Sequence, residues 1–123
     1  MQVIETKNAP AAIGPYSQGM IVGDLIYTSG QIPINPATGN IESDDVSKQT
    51  EQAIKNIKAV LEAAGSSLEK VVKTTCFLQN IQDFAAFNAV YEKFFVNKPA
   101  RSCVEVGALP KGALVEIEVI AEK

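Results

Sequence analysis

With 123 residues the chain suffices for one compact domain spanning 1–123 and falls short of the usual size for two. Its composition, 46% hydrophobic and 20% charged, is that of a globular protein and excludes disordered and fibrous classes. A net charge of −3 without any Lys/Arg block argues against nucleic acid as the main partner, and the absence of histidine excludes Ser-His-Asp and Cys-His nucleophilic schemes and most zinc or iron sites.

In chain order, QVIET at 2–6 predicts a short strand. The opening MQVIETKNAP has neither a signal peptide's apolar core nor a transit peptide's Arg-rich amphipathicity, and no apolar run reaches 18 residues; we expect a cytoplasmic protein with no membrane partner. NAPAAIGPYS follows as a loop punctuated by Pro10, Gly14 and Pro15. GMIVGDLIYTSG reads as two apolar runs about Gly23-Asp24, a dipeptide suited to a tight hairpin because glycine tolerates positive φ. QIPINPATGNIES, with two prolines and a turn, allows at most short edge pairing.

From Asp45 to Ala64 the apolar residues Val46, Ala53, Ile54, Ile57, Val60, Leu61 and Ala64 recur at three- and four-residue steps, which predicts an amphipathic helix. Ser43, Asp44 and Asp45 suit its N-terminus, and Gly65 its end. KVVKTTCFLQ at 70–79 is rich in β-branched residues and predicts a strand. Asp83 is placed to cap a second helix with the stripe Phe84, Phe87, Val90, Tyr91 and Phe94, an aromatic spacing that normally means core. Two strands follow, about 101–107 and 113–121, joined by ALPKGA. Cys76 and Cys103 lie far apart in strand-like runs and read as reduced, buried thiols.

This order predicts an α+β fold of two layers, a mixed sheet with both helices on one face. The other face would be left open unless another copy of the chain covers it, which points to an oligomer.

Period-two alternation puts Arg101, Cys103 and Glu105 on one side of their strand and Ser102, Val104 and Val106 on the other; Glu116 and Glu118 share a side of the last strand. If these two strands pair as a hairpin with their apolar faces together, Arg101 and Cys103 lie among Glu116 and Glu118. Such a face can be a solvated surface with cross-strand ion pairs worth about 0.2 to 1 kcal/mol each. It can equally be a site, and pattern alone leaves both open.

The stretches IGPYSQG (13–19), YTSGQIP (27–33), PARSCVEV (99–106) and LPKGALVEIE (109–118), in this order over nearly the whole chain, resemble the Rid (YjgF) family of enamine/imine deaminases. The resemblance implies a chorismate-mutase-like fold, a homotrimer with clefts between subunits, and hydrolysis of 2-imino acids such as 2-iminopropanoate and 2-iminobutanoate to 2-keto acids and ammonia. These imines would arise from 2-aminoacrylate or its homologue, released by pyridoxal-phosphate enzymes acting on serine or threonine. No cofactor is implied.

Carried over by the motifs, Arg101 would bind the substrate carboxylate, a task its planar fork suits better than an ammonium does. Glu116 would position the attacking water and relay a proton, helped by the backbone carbonyl of Cys103, with Glu118 a bystander. Tyr16, Ser29 and Gly30 would line the cleft, and Asn88 would join them from the second helix. Without the resemblance, Tyr16 is a loop aromatic, Ser29-Gly30 a strand-ending turn, Asn88 an exposed helix residue and Cys103 a small filler. A translation-inhibitor or ribonuclease role, and ligand binding without turnover, are the rival functions.

Overall fold

The computed structural model describes residues 1–123. In chain order its elements are β1 (Gln2–Ile4), β2 (Gly19–Val22), β3 (Leu25–Thr28), β4 (Ile34–Asn35), β5 (Asn40–Ile41), α1 (Val46–Ala63), β6 (Val71–Leu78), α2 (Phe84–Phe94), β7 (Ala100–Glu105) and β8 (Val115–Glu122). Six strands form one mixed sheet in the order β1-β2-β3-β8-β6-β7, with both helices against one face; β4 and β5 pair separately. The fold is α+β, as the element order predicts.

Local chemistry explains most of these elements. β2 and β3 pair from Gly19↔Thr28 to Val22↔Leu25, and the two-residue loop between them starts at Gly23 with φ of 59°, the left-handed region glycine enters without steric cost. The prolines of 31–43 hold the pairing there to the two-residue strands β4 and β5. At the head of α1 the Asp45 side chain accepts from the Lys48 N–H, and at its end Gly65, φ 80°, lets the Ser66 N–H return to the Leu61 carbonyl.

α1 lays Ala53, Ile54, Ile57, Val60 and Leu61 on the sheet, all fully buried. The four larger ones contribute about 1.5–3 kcal/mol each in apolar burial. The same helix carries buried polar groups that position the chain beyond β3. Asn56 Nδ2 donates to the carbonyls of Ile32 (3.1 Å) and Ile34 (2.9 Å), and Gln49 Oε1 accepts from the Leu114 N–H. Gln31 exchanges both backbone hydrogen bonds with Ile117. Segment 29–34 is thereby pinned across β8.

Two sequence expectations fail. Asp83 stands before α2, but its side chain caps nothing; Asn80 instead accepts from the Gln82 N–H in the short turn ahead of the helix. More consequentially, the last two strands form no hairpin. β6 lies between them, antiparallel to β8 and parallel to β7 through the α2 crossover, so β7 is an edge strand. Adjacency in sequence favoured the hairpin, whereas Thr74, Cys76 and Leu78 of β6 supply the buried side chains that face both helices.

The register then assigns faces. Thr74, Cys76 and Leu78 align with Val119, Ile117 and Val115 of β8 and with Arg101, Cys103 and Glu105 of β7, all on the helix-covered face. Thr75 and Phe77 align with Glu118 and Glu116 and with Ser102 and Val104 on the open face. Val104 is 45% exposed there, and Val3 and Tyr27 are also exposed.

Candidate functional site

Arg101 opens a first constellation at the edge of the helix-covered face. Its Nη1 donates to Asn88 Oδ1 at 2.7 Å, and its guanidinium carbon lies 4.8 Å from the centre of the Tyr91 ring and 5.4 Å from that of Phe84. Phe84, Asn88 and Tyr91 are four and three residues apart on α2 and therefore share one face. The Tyr91 hydroxyl is bonded to the buried Thr74 Oγ1 at 2.7 Å, and Thr74 is the register partner of Arg101. Burial raises the Tyr91 pKa against the opposing Thr74 hydrogen bond, so the phenol stays neutral. Arg101 has no carboxylate partner within the chain: the ion pair present is Lys55–Glu51 on α1.

Cys103, two residues on, is half-buried against the core. Burial pushes its thiol pKa up, with Arg101 opposing, and pushes that of Cys76 up to about 12. Both are thiols rather than thiolates at neutral pH, hence poor nucleophiles. The Cys103 backbone is better placed than its sulfur. The Val106 N–H donates to Leu78, so the even-numbered residues of β7 turn their backbone groups toward β6, and the N–H and C=O of Cys103 point outward from the free edge.

A second constellation surrounds Glu116. A concavity of about 420 Å³ has Tyr16, Ser29, Gly30, Ile32, Glu116 and Glu118 among its lining residues. Ser29 Oγ donates to the Ser17 carbonyl at 2.5 Å and its N–H to the Gln18 carbonyl at 2.9 Å, which ties the turn after β3 to the 6–18 loop. Gln18 is itself buried, its amide joined to Thr6, Ala9 and Pro10, so this loop is held in one shape. Tyr16 stands at the rim, 54% exposed.

Gly30 has a specific reason to be glycine. A Cβ built on it would meet Glu116 Oε2 at 2.5 Å. The carboxylate thus packs directly on the backbone of the turn. Desolvation, and secondarily the neighbouring Glu118, raise the Glu116 pKa above its ordinary 4.5. A carboxylate so perturbed takes up and releases a proton more readily near neutrality than an exposed one.

The sequence expectation that Arg101 and Cys103 lie among Glu116 and Glu118 is corrected here. The two groups occupy opposite faces of the sheet with β6 between them. Of the residues singled out from sequence, Arg101, Asn88 and Cys103 gather in one constellation; Tyr16, Ser29, Gly30 and Glu116 gather in the other. The contacts of Phe84 and Tyr91 with Arg101 are not signalled by the sequence, because an aromatic stripe at helical spacing signals core. The available clue was Asn88, a polar residue set between them on that stripe.

Chemically, the first constellation offers an oriented cation without a counter-ion, suited to a carboxylate. The second offers a proton-accepting carboxylate beside a hydroxyl and a backbone turn. The chain contains no histidine, and no three of its cysteine, aspartate and glutamate side chains converge as metal ligands would. No helix is long and apolar enough to cross a membrane.

Comparison with known proteins places the chain in a family. The family model described as Endoribonuclease L-PSP matches residues 6–123. A Lactococcus lactis protein that bears a regulator's name, AldR, is 59% identical, with 99% of this chain and 98% of that one covered. The 2-iminobutanoate/2-iminopropanoate deaminase of Escherichia coli strain K12 is 53% identical over 98% of this chain and 96% of its own. The crystal structure of E. coli TdcF with bound serine superposes with a TM-score of 0.95 at 46% identity, covering 100% of this chain and 99% of that one. With residues 6–123 matched by the family model and its motifs in order, this chain belongs to the Rid (YjgF) family.

Proposed function

We propose that the protein hydrolyses 2-imino acids, among them 2-iminopropanoate and 2-iminobutanoate, to 2-keto acids and ammonia, in clefts formed between copies of the chain in a cytoplasmic homotrimer. The observation that carries this reading is the division of the constellations: a carboxylate receptor at Arg101 and a proton acceptor at Glu116 stand on opposite faces of one sheet, each open to solvent. A second copy bringing its Glu116 face to the Arg101 edge completes a site that one chain leaves in halves. The open sheet face, with Val3, Tyr27 and Val104 exposed, supplies apolar surface for such an assembly.

In that cleft Arg101 holds the substrate carboxylate, while Tyr16, Asn88, Ser29 and the Gly30 N–H orient the rest of the molecule. Water, held by Glu116 and the outward carbonyl of Cys103, adds through oxygen to the protonated imine carbon, and its proton passes to Glu116. The resulting carbinolamine receives that proton on nitrogen; the C–N bond then breaks with its electron pair leaving on nitrogen, the hydroxyl proton passes to Glu116 and on to the departing ammonia, and a 2-keto acid and ammonium are released. A protonated imine is already electrophilic, so orientation and one proton relay suffice without a cofactor.

The E. coli deaminase relative supports the reaction, and the serine seen in TdcF supports a small amino-acid-like ligand. The endoribonuclease description attached to the family model has less support from this chain, whose 14 acidic residues outnumber 11 basic ones. The test generates 2-aminoacrylate from serine with a dehydratase and follows trappable imine and released ammonia. We expect faster imine loss with the protein present. Unchanged imine decay, with binding of 2-oxobutanoate retained, would leave a ligand-binding role in its place. Light scattering showing a fully active monomer would defeat the intersubunit cleft.

A further inference from the structure

We propose that Phe84 and Tyr91 are positioning residues that hold the Arg101 guanidinium as a formed carboxylate receptor before any ligand arrives; this deepens the reading of Arg101 given above and rests on it. A long cation on an edge strand, exposed and without a carboxylate partner, would ordinarily sample many rotamers. Here three groups on one face of α2 restrain it. Tyr91 lies beneath the guanidinium with its carbon 4.8 Å from the ring centre, Phe84 adds a second ring at 5.4 Å, and Asn88 takes one N–H of Nη1 at 2.7 Å. Rings limit the tilt of the guanidinium plane, and the amide fixes its rotation within that plane. The N–H groups of Nη2 and Nε find no acceptor in the chain and stay free for a two-point contact.

Tyr91 itself cannot swing. Its hydroxyl is bonded to Thr74 Oγ1 at 2.7 Å, and its ring packs against Phe87 and Phe95 with centroids 5.5 and 4.5 Å away. Phe84 is the telling residue. Core packing explains Phe87, which is fully buried, but not an aromatic in the first turn of α2 that remains 37% exposed. Its ring face is used on Arg101.

The test compares Phe84→Leu, which keeps apolar bulk without a π face, and Phe84→Tyr, which restores the ring. Both are examined in the assembled protein by the ¹⁵N–¹H signal of the Arg101 Nε–H, identified by its loss in Arg101→Lys, and by titration with 2-oxobutanoate. We expect Phe84→Leu to move the Arg101 signal toward that of free arginine and to weaken 2-oxobutanoate binding about two- to fivefold, the size of an exposed cation–π contact. Imine hydrolysis should fall through KM more than kcat, and Phe84→Tyr should restore every reading. An Arg101 signal and 2-oxobutanoate affinity unchanged in Phe84→Leu, with only thermal stability lowered, would overturn the proposal and leave Phe84 a packing residue. If the wild type neither binds 2-oxobutanoate nor hydrolyses imines while the Arg101 signal still follows the ring, the proposed function fails and the clamp stands.

Discussion

Replacing Gly30 by alanine tests the Glu116 constellation with a single methyl group. Gly30 does not have a positive φ, so its backbone accepts alanine without strain. The added Cβ would sit 2.5 Å from Glu116 Oε2, 2.8 Å from Cδ and 3.1 Å from Cγ. Ordinary contact requires more than 3 Å, so the carboxyl must retreat by roughly 0.5 to 1 Å. It is the far end of a flexible side chain and can do so by rotation, at about 0.5 to 1.5 kcal/mol for an off-rotamer angle. The fold should therefore survive nearly unharmed. Catalysis should not, because a displacement near 1 Å of a group that aligns the attacking water costs on the order of a hundredfold in rate. We expect kcat for imine hydrolysis to fall roughly ten- to a hundredfold, while urea unfolding moves by less than about 1.5 kcal/mol. In a Glu116→Gln background the same methyl should add little, since the group it displaces has already lost its role. Wild-type turnover in Gly30→Ala, or full additivity in the double variant, would refute the assignment of Glu116.

Arg101→Ala should abolish turnover, a loss of about 2 to 5 kcal/mol or very roughly thirty- to several-thousand-fold if it falls on the transition state, and Arg101→Lys should recover little because it lacks the parallel N–H donors. Near-wild-type kinetics in either would return Arg101 to the solvated surface. Cys103→Ser should keep substantial activity, since only its backbone is asked to contact water; a substrate adduct on the thiol, seen by mass spectrometry, would contradict this. Glu116 must be ionised to accept a proton, so the acid limb of the pH–rate profile should lie above the ordinary carboxylate range and vanish in Glu116→Gln. Its raised pKa also means that the folded state holds this proton more tightly than the unfolded one. That stabilising term is fully present below the unfolded value of 4.5 and is lost as pH rises through the folded one, so Glu116→Gln should gain relative stability across that window. A stability difference flat from pH 4 to 8 would count against the desolvation of Glu116.

Local signals in the chain carried far in predicting its elements. Gly23 announces the β2–β3 hairpin, and the spacing from Ala53 to Leu61 announces α1, because turn chemistry and helical periodicity act over a few residues. What stayed hidden was strand adjacency. Alternation in 101–106 tells which side chains share a side but not which side meets the helices; insertion of β6 settles that through Thr74, Cys76 and Leu78. The apolar Val104 reads as core, yet it is exposed; Cys103 packs inward, in line with its reading as a buried thiol and against the hairpin pairing that sets it on the polar side with Arg101. Motif resemblance singles out the candidate site residues one by one. Their separation into two constellations is not legible there, since it depends on pairing between segments far apart in the chain.

The position of β8 bears on how the chain comes together during synthesis. It is the last of the six strands in chain order, yet it occupies an interior place between β3 and β6. Until it is available, the sheet exists only as two unjoined pieces, β1-β2-β3 and β6-β7, each with an unsatisfied edge where β8 belongs. A growing polypeptide cannot commit its first half early, and closure of the sheet waits on a pairing partner more than ninety residues downstream, Val119 with its N–H on Thr28 Oγ1. Nascent chains of this topology therefore carry exposed β edges until β8 emerges, a state open to edge-to-edge pairing with other chains.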